Sequence, residues 1–147
     1  MTVERITLSD YLRDINRIAT EIDTLAVSAI RAAKRCNDHK RECQRKGVIV
    51  DDAIVADAED RISAAEIGVT QRSGPLASYR GLAVKTSLRH DDATIAMWSE
   101  RLGAPSNRDG CIAYMLRMAE SAEQAAYQNI KQSRQSIGLI DSTGGAK

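Results

Sequence analysis

One periodic pattern runs through the first third of the chain and limits what the chain can fold into. Apolar or small residues recur in alternating steps of three and four, which is the seam of a coiled coil or a long helical hairpin. We therefore expect one helix from about Ser9, a candidate N-cap, to Lys46, with Gly47 as its C-terminal stop. The seam consists of Leu8, Tyr11, Ile15, Ile18, Ile22, Leu25, Ala29, Ala32, Cys36, His39 and Cys43.

The next stretch predicts a second helix that packs antiparallel against the first. It extends from Asp51 or Asp52 to about Ile67. Three or four residues separate it from the first helix, and a connection that short usually joins antiparallel neighbours. The face expected to pack consists of Ile54, Ala58, Ile62 and Ala65.

Beyond Ile67 the pattern changes. Residues 68–81 contain three glycines, a proline and two serines with no apolar period, which is typical of a linker. Residues 82–91 alternate apolar and polar side chains, a pattern that allows one short strand near 84–88. Further helices are expected from Asp91 or Asp92 to Leu102 and from Arg108 to about Gln135. Ser106 or Asn107 is the candidate cap of the last helix.

These elements predict an all-α protein with a long N-terminal helix in an antiparallel hairpin and a C-terminal helical pair. At 147 residues the chain fits one compact domain. It has no Phe and one Trp, so closely packed thin helices are favoured over a thick sandwich. The expected parts are a hairpin at 1–67, a linker at 68–81, a helical unit at 82–135 and a flexible tail at 136–147.

The Ala-rich seams predict self-association, because small side chains bury little area within one monomer. A dimer is the default homo-oligomer. Asn129 continues the last seam with a polar residue, which can set register or oligomeric state. The residues predicted to form the interface are Ile15, Ile18, Ile22, Leu25, Ile112, Met115, Ala119, Ala122 and Ala126.

A basic segment, RAAKRCNDHKRECQRKG, begins at Arg31. From 31 to 46 it has seven cations and two acids, a net charge of +5. Such a face can follow phosphates. Residues 51–66 have one cation and six acids, −5, so we expect the two segments to pair across the hairpin. The basic face comprises Lys34, Arg35, Lys40, Arg41, Arg45 and Lys46.

The same segment places Cys36, His39 and Cys43 on one helical face, and both residue types bind zinc. Seven residues of helix rise about 10.5 Å, whereas two thiolates on one zinc lie within about 4.6 Å. Cys36 and Cys43 therefore do not share an ion, and a site here needs a second helix or protomer. The alternative is that these small residues fill a tapering interface. We predict no metal and no other cofactor.

The C-terminal stretch LAVKTSLRHDDATIAMWSERLGAPSNRDGCIAYMLRMAE resembles the ribbon-helix-helix family of small DNA-binding regulators. The resemblance covers residues 82–120. It implies that paired strands place Lys85, Ser87 and Arg89 in the major groove. It also implies that the helix start at Ser106 and Asn107 contacts phosphate.

Motifs for catalysis are absent from the sequence: it has no P-loop, GxSxG, HExxH or dinucleotide-binding glycine pattern. His90, beside Asp91, is either a phosphoacceptor or an exposed helix start. Trp98 and Tyr114 are either a partner hot spot or anchors of a small core. No apolar run approaches 18 residues, so we expect no transmembrane helix.

Three cysteines and no signal-like stretch favour a cytoplasmic protein with reduced thiols. The leading hypothesis is a non-catalytic helical interaction protein, such as a scaffold, adaptor or assembly component. Its partners would be itself and another protein. The alternative is a DNA-binding accessory or regulatory protein.

Overall fold

A computed structural model describes residues 6–85 and 91–139, apart from the side chains of 82–85 and 139. In these ranges the chain forms four α-helices and no strand. The prediction of an all-α fold with a long N-terminal helix is confirmed. The helices are α1 (Leu8–Lys46), α2 (Asp52–Lys85), α3 (Asp92–Leu102) and α4 (Arg108–Leu139).

Helix α1 begins one residue before its predicted start. The Thr7 hydroxyl accepts a hydrogen bond from the backbone N–H of Asp10 at 3.0 Å, and so satisfies one of the free donors of the first turn. Ser9 as the N-cap is therefore wrong. At the other end, Gly47 adopts a left-handed φ of 68°, which confirms the predicted stop.

The segment predicted to be a linker is helical. Helix α2 runs through residues 68–81 without a break, so the predicted end of this helix near Ile67 is wrong. Val69 and Leu76 are fully buried there, and this burial offsets the weak helix propensity of the glycines. Gly68 also has a packing role. A Cβ at this position would lie 2.8 Å from a terminal methyl of Leu25, so the absent side chain lets α2 approach α1 closely.

The predicted strand falls partly within α2. Residues 82–85 form the end of this helix, so a strand there is wrong, because α2 continues past the expected linker. Residues 86–90, which carry the rest of the predicted strand, lie outside the described residues. Of the predicted tail, residues 136–139 belong to α4, and 140–147 lie outside the described residues.

The boundaries of α3 and the start of α4 match the prediction. The Asp91 carboxylate caps α3 by accepting from the Thr94 N–H at 3.2 Å. The Asn107 side chain caps α4 by accepting from the Gly110 N–H at 2.7 Å. Helix α4 extends four residues beyond the predicted end, and the burial of Ile137 accounts for this extension.

Packing groups the chain into two compact units. The first unit comprises Met1–Glu21 and Gln71–Glu123, and the second comprises Ile22–Thr70 and Gln124–Lys147. Helices α1, α2 and α4 contribute residues to both units, whereas α3 belongs to the first. This grouping differs from the predicted succession of hairpin, linker and C-terminal unit.

Two tyrosines join α1 to α2 in the first unit. The Tyr11 hydroxyl donates to the carbonyl oxygen of Tyr79 at 2.7 Å, and the Tyr79 hydroxyl donates to Asp14 at 2.6 Å. The rings meet edge to face with centroids 5.4 Å apart. Burial raises the pKa of Tyr11, and burial with the Asp14 hydrogen bond raises the pKa of Tyr79 to about 12. Both phenols therefore remain hydrogen-bond donors at neutral pH.

Trp98 and Tyr114 are anchors of the first unit. Trp98 is buried, and the Arg101 guanidinium lies 5.6 Å from its ring centroid. The Tyr114 hydroxyl donates to the carbonyl oxygen of Leu102 at 2.8 Å, which ties α4 to the end of α3. The alternative in which Trp98 and Tyr114 are anchors of a small core therefore describes both residues.

The second unit is a bundle of three helix segments. In it α1 and α2 are antiparallel, and α4 is antiparallel to α2. The contacts that set these directions are Leu25 with Gly68 and His39 with Asp51 between α1 and α2, and Glu66 with Arg134 and Thr70 with Tyr127 between α2 and α4.

The helical state of residues 68–81 predicts an effect of Pro75. Proline inside a helix removes one backbone hydrogen bond and crowds the preceding turn. We expect Pro75→Ala to raise the free energy of unfolding by about 1–3 kcal/mol, measured by urea denaturation. Pro105→Ala, in the turn between α3 and α4, is the matched control and should give no such gain. A loss of stability in Pro75→Ala would contradict a continuous α2.

Candidate interaction surface

The basic segment of α1 forms its ion pairs within its own helix. Lys34 and Arg41 pair with Asp38 at 2.7 and 3.9 Å, and Lys46 pairs with Glu42 at 3.2 Å. Arg45 also pairs with Glu42. These acids lie one helical turn away and are therefore the nearest partners. Hydrogen bonds from Arg45 and Lys46 lower the pKa of the Glu42 carboxyl.

The predicted pairing between residues 31–46 and 51–66 is therefore wrong. Within the described part of the chain, no ion pair joins these two segments. On the acidic side, Asp57 pairs with Arg61 of its own helix at 2.8 Å, and Glu66 pairs with Arg134 of α4 at 3.2 Å. Among the described residues, the cations of the basic segment therefore have no ion-pair partner on α2.

Lys40 does not belong to the exposed basic face. Its side chain is 5% exposed, and its ammonium group donates to the carbonyl oxygen of Ile137 at 2.6 Å. This carbonyl lies in the last turn of α4, where the helix dipole favours a cation. Lys40 therefore holds α4 against α1, and its inclusion in the exposed face was wrong.

The candidate metal ligands have other partners. The Cys43 sulfur lies 3.6 Å from Nε2 of His39, and the same nitrogen accepts a hydrogen bond from the Asp51 N–H at 3.0 Å. His39 thus fastens the start of α2. Burial raises the pKa of the Cys36 thiol, which disfavours the thiolate that zinc requires. Across residues 6–85 and 91–139 no three His, Cys, Asp or Glu side chains cluster as a metal site would need.

The residues assigned to DNA by resemblance are only partly described. Lys85 ends α2, while Ser87 and Arg89, with His90, lie outside the described residues. Ser106 is exposed at the start of α4. The Asn107 side chain already occupies the N–H of Gly110. The ribbon-helix-helix resemblance stays a prediction.

The predicted interface seam is interior. Seven of its nine residues are buried by the chain itself, so a second protomer cannot contact them without displacing a helix. Leu25 and Ala122, the other two, are half-buried. Contacts between helices of one chain cover the seven buried residues, and the predicted self-association stays a prediction. The buried members are Ile15, Ile18, Ile22, Ile112, Met115, Ala119 and Ala126.

An open groove lies between α1 and α4 in the second unit, with a volume of about 440 Å³. Two apolar side chains, two cations and five amide or hydroxyl side chains line it, and none of the lining residues is acidic. Asn37 is 6% exposed and donates to the Ser136 hydroxyl. Its side-chain oxygen has no hydrogen-bond partner among the described residues.

Exposed apolar side chains concentrate in the second unit. Seven large ones are exposed among the described residues, and six of them lie in this unit, Met97 being the other. Three of the six form what we call the hairpin tip: Val48, Ile49 and Ile54. Ile49 is 93% exposed. Val27, Ile30 and Ile67 complete the set.

Sequence reasoning missed the hairpin tip, Asn37 and the inward direction of Lys40. The signal for the tip was the apolar run Val48–Val50 directly after a helix stop, where polar turn residues are usual. The signal for Lys40 was its position in a third line of residues, which repeats every seventh position from Leu12 beside the two lines of the seam.

Comparison of the chain with protein-family models, curated proteins and solved structures finds no match. Among the described residues, no helix combines the length and the apolar character that crossing a membrane requires.

The burial of Lys40 predicts a cost for its removal. Lys40→Met keeps the aliphatic stem but leaves the Ile137 carbonyl without its donor, so we expect a loss of about 1–2 kcal/mol in the free energy of unfolding. Lys34→Met is the matched control, because Lys34 is exposed on the same helix and should tolerate the change. Urea denaturation measures both. Equal stability of the two variants would contradict the role assigned to Lys40.

Proposed function

We propose that the protein is a non-catalytic, cytoplasmic interaction protein that works as a scaffold, adaptor or assembly component through helix–helix contacts. The observation that carries this proposal is the concentration of exposed apolar side chains in the second unit, six of the seven among the described residues. Grouped apolar surface on a soluble domain usually marks a protein contact.

The hairpin tip is the part of this surface best suited to binding. Val48 and Ile49 lie in the connection between two long helices, and the end of α1 and the start of α2 are held by Gly47 and by the His39–Asp51 hydrogen bond. Rigid presentation lowers the conformational entropy lost on binding. The partners proposed are a second copy of the chain and another protein.

The proposal predicts that association depends on the hairpin tip. We expect light scattering with size exclusion to give a mass above the 16.1 kDa of one chain. Val48→Ser with Ile49→Ser should shift this mass towards the monomer, because the variant loses apolar contact area. Met97→Ser, which removes an exposed apolar side chain from the first unit, is the control and should leave the mass unchanged.

A wild-type protein that stays monomeric at every concentration, and from which no protein partner is recovered, would contradict the proposal. If Met97→Ser lowered the measured mass of the assembly as much as the tip variant does, the contact would not be specific to the hairpin tip.

An alternative is a small DNA-binding accessory or regulatory protein with a ribbon-helix-helix-like C-terminal unit. One observation favours DNA binding. The net charge of residues 31–46 is +5, and among the described residues their cations form no ion pair with the acids of 51–66. Without the buried Lys40, the exposed side chains of this segment comprise six cations and two acids, and such an excess of cations attracts phosphate.

This alternative predicts binding to duplex DNA with an affinity that falls steeply as salt rises. Lys85→Ala and Arg89→Ala should weaken the binding if the resemblance identifies the contact. Fluorescence anisotropy with a labelled duplex measures it. Absence of binding by the wild-type protein at low salt would exclude the alternative.

A further inference from the structure

We propose that the groove between α1 and α4 in the second unit binds an acidic amphipathic helix of a partner protein. This inference rests on the proposed function and deepens it, because it gives a second contact surface and the chemistry of its occupant. The groove is distinct from the hairpin tip and shares no residue with it.

Charge is the first reason. Two cations line the groove, Lys34 and Arg41, and both belong to the basic segment of α1. They share one acidic partner, Asp38, at 2.7 and 3.9 Å, so one positive charge is left over at the groove. The α4 wall has no charged lining residue. The acidic side chains of this unit are concentrated on α2, in residues 51–66, and none of them lines the groove. Opposite charge on a ligand helix would therefore steer it to this face.

Shape is the second reason. On α1 the lining runs from Ile30 to Arg41, a rise of about 16 Å or about three helical turns. A groove of this length between two helices suits a third helix laid along it. Ile30 lines the groove, and Val27 lies about one helical turn before it on the same face of α1. They are 44% and 43% exposed. The phosphate groups that cations contact on a nucleic acid offer no apolar surface to these side chains, whereas an amphipathic helix does, so the combination favours a helix.

A partner protein is favoured over a second copy. The acidic segment that this chain itself offers is residues 51–66 of α2. The apolar face of that segment, with Ala58, Ile62 and Ala65, is already buried within its own chain, so it is not available to the groove of another copy.

The test uses the full-length protein and a labelled synthetic helical peptide of about 18 residues, or roughly five turns. The peptide carries Leu and Ala on one face and Glu on the other. Two further peptides have the same composition in permuted order, or Lys in place of Glu. We expect the acidic amphipathic peptide alone to bind, as measured by fluorescence anisotropy.

Two double variants distinguish binding in the groove from a general effect of the protein's net charge. Lys34→Glu with Arg41→Glu alters the lining and should weaken peptide binding by about tenfold or more. Arg31→Glu with Arg35→Glu makes the same change in net charge at exposed positions of the same helix that do not line the groove. This control should bind within about twofold of the wild type. Ile30→Ser should weaken binding without a change in charge.

The proposal is overturned if the permuted peptide binds as well as the amphipathic one, or if the control variant loses as much affinity as the groove variant. It is also overturned if Lys34→Glu with Arg41→Glu abolishes binding of duplex DNA while the peptide does not bind. Loss of self-association in that variant without peptide binding would identify a second copy as the occupant. In each case the hairpin-tip variants still test the proposed function independently.

Discussion

Helix α1 buries a stripe that is three heptad positions wide, and the placement of α2 and α4 depends on it. The seam recognised in the sequence, with its alternating steps of three and four, consists of two lines of residues, each repeating every seventh position. The third line repeats every seventh residue beside them, and each of its members is buried: Leu12, Ala19, Ala26, Ala33 and Lys40. A stripe of two positions serves one neighbouring helix, whereas a wider stripe serves two. In the second unit α1 accordingly contacts both α2 and α4.

Much of the fold follows from periodicity and end signals in the sequence. The extent of α1, the stop at Gly47, the whole of α3 and the cap of α4 at Asn107 each depend on a few neighbouring residues. The continuation of α2 through 68–81 could not be predicted in this way. Val69 and Leu76 are buried there by distant parts of the chain, and such tertiary burial overrides local propensity.

The candidate surface was harder to predict than the fold. Net charge along the sequence indicated pairing across the hairpin, but an acid one turn away within the same helix is a closer partner than one on another helix. The direction of a side chain was a second obstacle. Lys40 has a cationic side chain like its exposed cationic neighbours, and only its position in the third line indicates that it points into the protein. The resulting second unit carries most of its cations on α1 and α4 and most of its acids in residues 51–66.

The hydrogen bond from the Lys40 ammonium group to the Ile137 carbonyl oxygen joins residues that are 97 positions apart in the chain. The second unit therefore cannot finish folding when its α1–α2 hairpin emerges from the ribosome. It must wait until α4 has been synthesised, and its open hairpin meanwhile exposes an apolar flank to other chains and to chaperones. Long-range closure of this kind slows folding, because loop entropy is lost before the stabilising contacts form.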